Sequence, residues 1–133
     1  MITPVYFETR FRFNESMPTL PVEFVIVSAH ATTGEVWTPE RNQAAECALE
    51  AELRARSGWR VRIVGYSPAT DHAEPSWAVE MPLDEACDLG KRYYQDAIYH
   101  IRDDVLSVTF CDEHRALVHV GSFRRRLDRP SVQ

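Results

Sequence analysis

The stretch VEFVIVSA, Val22–Ala29, decides how the chain folds. It is almost wholly apolar, rich in β-branched side chains, and has no polar face to offer water. Such a run reads as a strand covered on both sides, and so as the centre of a sheet. The flanking segments must then supply more sheet and something to cover it.

Upstream, VYFETRFRF (Val5–Phe13) alternates. Phe7, Phe11 and Phe13 fall on one side and Glu8, Arg10 and Arg12 on the other, the pattern of a half-buried strand. Asn14, Glu15, Ser16 and Pro18 end it. Downstream, TPERNQAAECALEAELRARSG predicts a helix. Thr38 can cap it, Pro39 suits the first helical position, and Glu40 complements the positive end of the dipole. Ala45, Leu49 and Leu53 form one apolar stripe. Gly58 is expected to stop the helix. WRVRIVGY (Trp59–Tyr66) predicts a strand and SPATDHAEP a polar connection. SWAVEM is a further strand, and DEACDLGKRYYQ a second helix beginning at Asp84. Gly90 inside that helix implies a close neighbour, since glycine there costs about 1 kcal/mol relative to alanine. AIYHI is another strand, and VLSVTFC and ALVHV form a hairpin.

This order predicts an α+β fold: a single mixed or antiparallel sheet with two helices packed on one face. Residues 22–102 read β-α-β-β-α-β, a ferredoxin-like split βαβ core. The N-terminal strand and C-terminal hairpin would extend that sheet or cover its open face. One α+β domain is expected over residues 1–122, followed by a basic C-terminal tail, 123–133, carrying Arg124–Arg126.

Composition narrows the function classes. The chain has 133 residues and a net charge of −5, so non-specific duplex binding is disfavoured. Residues 67–120 hold 11 acids against 4 Lys/Arg, an acidic middle suited to a basic partner. Three separated cysteines without a CxxC point to a reducing cytoplasm. No apolar run approaches the roughly 18 residues of a membrane helix. There is no G-x-S-x-G elbow, no Gly-rich phosphate loop and no paired-histidine metal motif, so no catalytic residue, metal or cofactor is assigned.

Several stretches together resemble an uncharacterised bacterial family, domain of unknown function 3293. They are VYFETRFRF, FVIVSAH, Asn42 followed by Leu49 and Leu53, VGYSP, EPSW (Glu74–Trp77) and LGKRYYQDAIY (Leu89–Tyr99). The chain departs from that family's pattern at Ala29-His30-Ala31, where an aromatic, Asn and Pro are common, and at Tyr94 and Asp96. The resemblance implies no activity, substrate or cofactor.

Two functional expectations follow. The first is a non-catalytic protein-binding or regulatory module with an acidic surface, which could inhibit a basic or nucleic-acid-binding partner or associate with a second copy. The second is a small-molecule-binding protein or enzyme whose pocket is framed by Asn42, Glu74, Ser76 and Gln95. These four are the polar members of the family-like motifs, and Glu74 would be its natural base. Short polar side chains at element ends also commonly tie down loop backbone, and that structural role stands beside the binding role.

Overall fold

A computed structural model describes residues 8–30, 36–68 and 73–128. Within these, seven strands form one sheet: β1 Arg10–Phe13, β2 Glu23–Val27, β3 Arg60–Tyr66, β4 Ala73–Val79, β5 Ala97–Arg102, β6 Val105–Phe110 and β7 Leu117–Ser122. Three helices accompany them: α1 Pro39–Arg54, α2 Leu83–Arg92 and the short α3 Phe123–Arg126. The strand order is β1-β3-β4-β2-β5-β6-β7, and every neighbouring pair is antiparallel. The start of VYFETRFRF and much of the SPATDHAEP loop lie outside the described residues. No helix among those described is long and apolar enough to cross a membrane.

β2 is the central strand, as its sequence requires, and Phe24–Val27 are buried without a break. Its alternate side chains feed two separate cores. Val25 and Val27 pack outward with Trp77, Val79 and Ile98 against Leu49 and Leu53 of α1 and Ala86, Cys87 and Leu89 of α2. Phe24 and Ile26 pack inward with Phe11, Ile63, Ile101, Leu106, Val108 and Val120 against Phe123. Fully burying a side chain such as Phe11, Phe24 or Phe123 contributes roughly 1.5–3 kcal/mol.

The ferredoxin-like α+β expectation is corrected by this arrangement. The sheet dominates: seven antiparallel strands curl into a half-barrel with three small helices, instead of two helices covering one face of a split βαβ core. The cause lies in the end segments. β1, β6 and β7 are full members of the ladder, and their apolar side chains require an inner core that the helices do not touch. Residues from the two edge strands, Phe11 and Val120, meet in that inner core, so the sheet must bend round to bring them together.

A C-terminal strap holds the bend. Leu127 makes a parallel bridge to Phe11, and the Asp128 N–H donates to the Phe11 carbonyl at 2.8 Å. The Arg126 guanidinium donates to Val120 O of β7 at 2.7 Å and to Thr9 O beside β1 at 3.3 Å, spanning the gap between the sheet's edges. The Asp128 carboxylate accepts from Arg10 Nε at 3.0 Å and from the Tyr66 hydroxyl. That carboxylate pushes the Tyr66 phenol above its usual range. The tail expected from residue 123 is therefore corrected as far as Asp128: Phe123 is fully buried, and 123–128 complete the fold. Residues 129–133 lie outside the described residues.

The helices form where their sequences place them, with one shift. Thr38 Oγ1 accepts the Arg41 N–H at 3.1 Å and caps α1. α1 ends at Arg54, short of Gly58, because the last turn tightens through Arg56 N–H to Leu53 O at 3.2 Å. Gly58 instead takes φ 117 at the turn into β3, a conformation open to glycine. Gly90 of α2 faces Cys111: a Cβ there would lie 2.8 Å from its sulfur.

Candidate functional site

The polar residues singled out in the sequence gather at the C-terminal end of β2, where the chain leaves the sheet as Ser28-Ala29-His30. Glu74 opens the neighbouring strand β4. Its carboxylate accepts the Ser28 hydroxyl at 2.9 Å. Ser28 Oγ in turn accepts the His30 N–H at 3.2 Å, a local turn of the kind serine favours. Gln95, in the α2–β5 turn, donates from Nε2 to His30 O at 2.6 Å and to Tyr93 O at 3.1 Å. His30 is thus fixed at both its backbone N–H and its carbonyl by side chains 46 and 65 residues away from their targets along the chain.

The His30 ring lies against α1. Nε2 is 3.3 Å from Glu46 Oε2, close enough for an ion pair when the ring is protonated. The angle does not make a hydrogen bond, and among the described residues this buried nitrogen has no hydrogen-bond partner. The side chains of His30 and Glu46 remain 24% and 28% exposed, so solvent or a ligand reaches the pair. A buried imidazole nitrogen without a partner carries a desolvation cost, which a ligand can remove by bonding to it.

The four expected site residues divide. Glu74 and Gln95 converge on Ser28–His30, and both act there as braces. Ser76 donates to the carbonyl of Glu74 within its own strand at 3.2 Å and is buried. Gln95 and Ser76 therefore satisfy backbone groups, the structural role that short polar chains at element ends commonly take. Asn42 is half-buried on α1, one turn before Glu46 and on the same helix face. Sequence reasoning missed Ser28 and Glu46 and gave His30 no role. The usable signal was the Asn42/Glu46 spacing of four and the Ser-x-His order at the strand end.

An aromatic pair stands beside the rim. Trp37 and Tyr94 meet edge to face at 6.2 Å, and Arg41 lies 4.0 Å above the Trp37 ring. Tyr94 immediately precedes Gln95, is largely exposed, and has φ 59. Left-handed backbone at a bulky residue is strained and needs its surroundings to hold it.

The other histidines are dispersed. His100 Nε2 lies 2.7 Å from Glu23, and His119 Nδ1 lies 2.7 Å from the Ser107 hydroxyl. Among the described residues no three metal-ligating side chains come together. Cys87 and Cys111 adjoin each other under α2, and burial pushes the Cys111 thiol up to about 12. Thiols so hard to ionise are poor nucleophiles.

A curled antiparallel half-barrel, with a braced histidine and a carboxylate at the end of its central strand, is the class of protein these features define. The chain matches the family described as Protein of unknown function (DUF3293) over residues 27–98, more than half its length, and it belongs to that family. No curated protein and no solved structure matches it significantly. The matched span includes Ser28, His30, Glu46, Glu74 and Gln95 and leaves out β1, β6, β7 and the C-terminal strap.

Proposed function

We propose that the protein is a non-catalytic binding module for a small polar ligand, taken up at the His30–Glu46 rim. The observation that carries this reading is the histidine itself. Two remote side chains lock its backbone, yet its buried Nε2 has no hydrogen-bond partner among the described residues. Rigid backbone support behind an unsatisfied polar atom is the arrangement a binding site needs. The neighbouring carboxylate sets the complementary demand. A ligand with a hydrogen-bond acceptor and a donor side by side, such as an amide or a heterocycle edge, would meet His30 and Glu46 together.

The test is imidazole-detected NMR against a fragment set of amides, sugars and nucleobases. Binding should shift the His30 ring signals and fail in Glu46→Gln and His30→Ala, with both variants remaining folded. If no fragment moves the His30 resonances, the site reading is lost.

A second reading has one specific observation in its favour. β7 is an edge strand, and Leu117 and Val118 on it are exposed. An open edge with apolar side chains is a surface to which another protein, or a second copy, can add a strand. The acidic-surface argument for a basic partner is weaker, because many of the acids already face arginines. Glu50 pairs with Arg62, Glu52 with Arg92, Glu85 with Arg56, and Asp84 and Asp88 with Arg115. Light scattering across concentration separates self-association from a monomer.

A further inference from the structure

A second cavity, of about 370 Å³, opens on the inner face where the loop before β2 meets the β5–β6 turn and α3. Its walls are apolar: Leu20, Phe24, Ile101 and Phe123. Asp103, Asp104 and Arg124 stand at its mouth. A volume of this size falls within the range of small-molecule sites. It shares no residue with the His30 rim and lies outside the family-matched span.

The two aspartates form the two-residue turn between β5 and β6, with φ 49 and 70. Turns of that hand favour Asn-Gly, so two aspartates need a reason. For Asp104 the reason is visible. Its carboxylate accepts the Ser122 hydroxyl and the Arg124 N–H, and its carbonyl accepts the Phe123 N–H at 2.9 Å. Those bonds seat α3 and put the Phe123 ring into the cavity wall. Arg124 is drawn to the same carboxylate, 3.9 Å away. Asp103 contributes its backbone N–H to Val22 O at 3.0 Å, but among the described residues its carboxylate has no partner. The fold accounts for Asp104 and leaves the Asp103 charge unexplained at the entrance to an apolar cavity.

We infer that this cavity binds a small organic cation, with an apolar body among Phe24, Ile101 and Phe123 and a protonated amine at the Asp103 carboxylate. Apolar walls supply affinity, and one charged group at the rim fixes orientation. The net charge of −5 favours approach of a cation.

n-Hexylammonium, 1-hexanol and hexanoate are matched probes. Their binding is followed by methyl NMR of Leu20, Val22 and Ile101. Hexylammonium should shift these methyls saturably and bind more tightly than the alcohol or the acid. Asp103→Asn keeps a residue tolerant of left-handed backbone. It should weaken hexylammonium roughly fivefold, the upper end for an exposed charge pair, and leave hexanol unchanged. Leu20→Trp, which fills the cavity from a half-buried position, should abolish binding of all three. Equal hexylammonium affinity in wild type and Asp103→Asn, hexanoate binding as tight as hexylammonium, retention of binding in Leu20→Trp, or no methyl shift at the solubility limit would each overturn the inference.

Discussion

Replacing Phe123 by alanine tests whether the C-terminal strap is part of the fold. Phe123 is fully buried, and its ring lies 5.4 Å from Phe24, 5.6 Å from Phe11 and 6.4 Å from Phe13. The substitution removes a whole ring from a core lined on three sides by other rings. Deleting a buried phenylalanine costs about 3–5 kcal/mol, which includes the cavity left behind. The lost aromatic pairings place Phe123 in the upper half of that range, near 4 kcal/mol as an order of magnitude. Unfolding entropy near 2.1 cal/mol/K per residue gives about 0.28 kcal/mol/K for a chain of this length. The expected fall in Tm is then roughly 14 °C. Urea unfolding followed by far-UV circular dichroism should show a lower midpoint with an unchanged slope. Arg124→Ala, at the neighbouring and exposed position, is the control and should stay within about 0.5 kcal/mol of wild type. A loss below about 1 kcal/mol for Phe123→Ala would refute the reasoning, since a ring in a solvated tail costs that little to remove.

Gln95→Ala should cost about 1–2 kcal/mol in urea unfolding, because His30 O and Tyr93 O both lose their amide donor, and it should broaden the His30 NMR signals by freeing that residue. Gly90→Ala is expected to lower stability by about 1 kcal/mol even though alanine is the better helix former. The new Cβ would meet Cys111 Sγ at 2.8 Å and Ile98 Cγ2 at 3.3 Å, and overpacking outweighs propensity there; a raised Tm would contradict this. The Arg115 guanidinium beside Asp88 holds that carboxyl below its ordinary value of 3.8, and N–H groups of Arg115 and His114 do the same for Asp112. Depressed folded values mean stability that is present above pH 3.8 and lost as pH falls through the lowered values. Arg115→Met should therefore flatten the acid limb of the stability curve below pH 3.8 for Asp88, and an unchanged limb would count against the pairing.

The site was legible only in pieces. Glu74 and Gln95 stood out because both interrupt apolar segments at element ends, and both do reach the same three residues. What they reach was hidden, since Ser28, His30 and Glu46 belong to a strand end and a helix face with no local motif to join them. Side chains 16 to 65 positions apart become neighbours only when α1 and the α2–β5 turn pack over one end of β2.

The sequence by itself determined the elements. An unbroken apolar run had to be a central strand, a capped 3.6-residue stripe had to be a helix, and alternation in β1 had to turn Phe11 inward and Arg12 outward. These follow from local periodicity and burial, which are written residue by residue. Tertiary structure alone decided that the sheet curls, that the arginine-rich end straps its two edges, and that the chain has two cores. Each of those depends on long-range closure, such as Leu127 meeting Phe11 and Arg126 spanning Val120 and Thr9, and no local pattern encodes which distant edges meet.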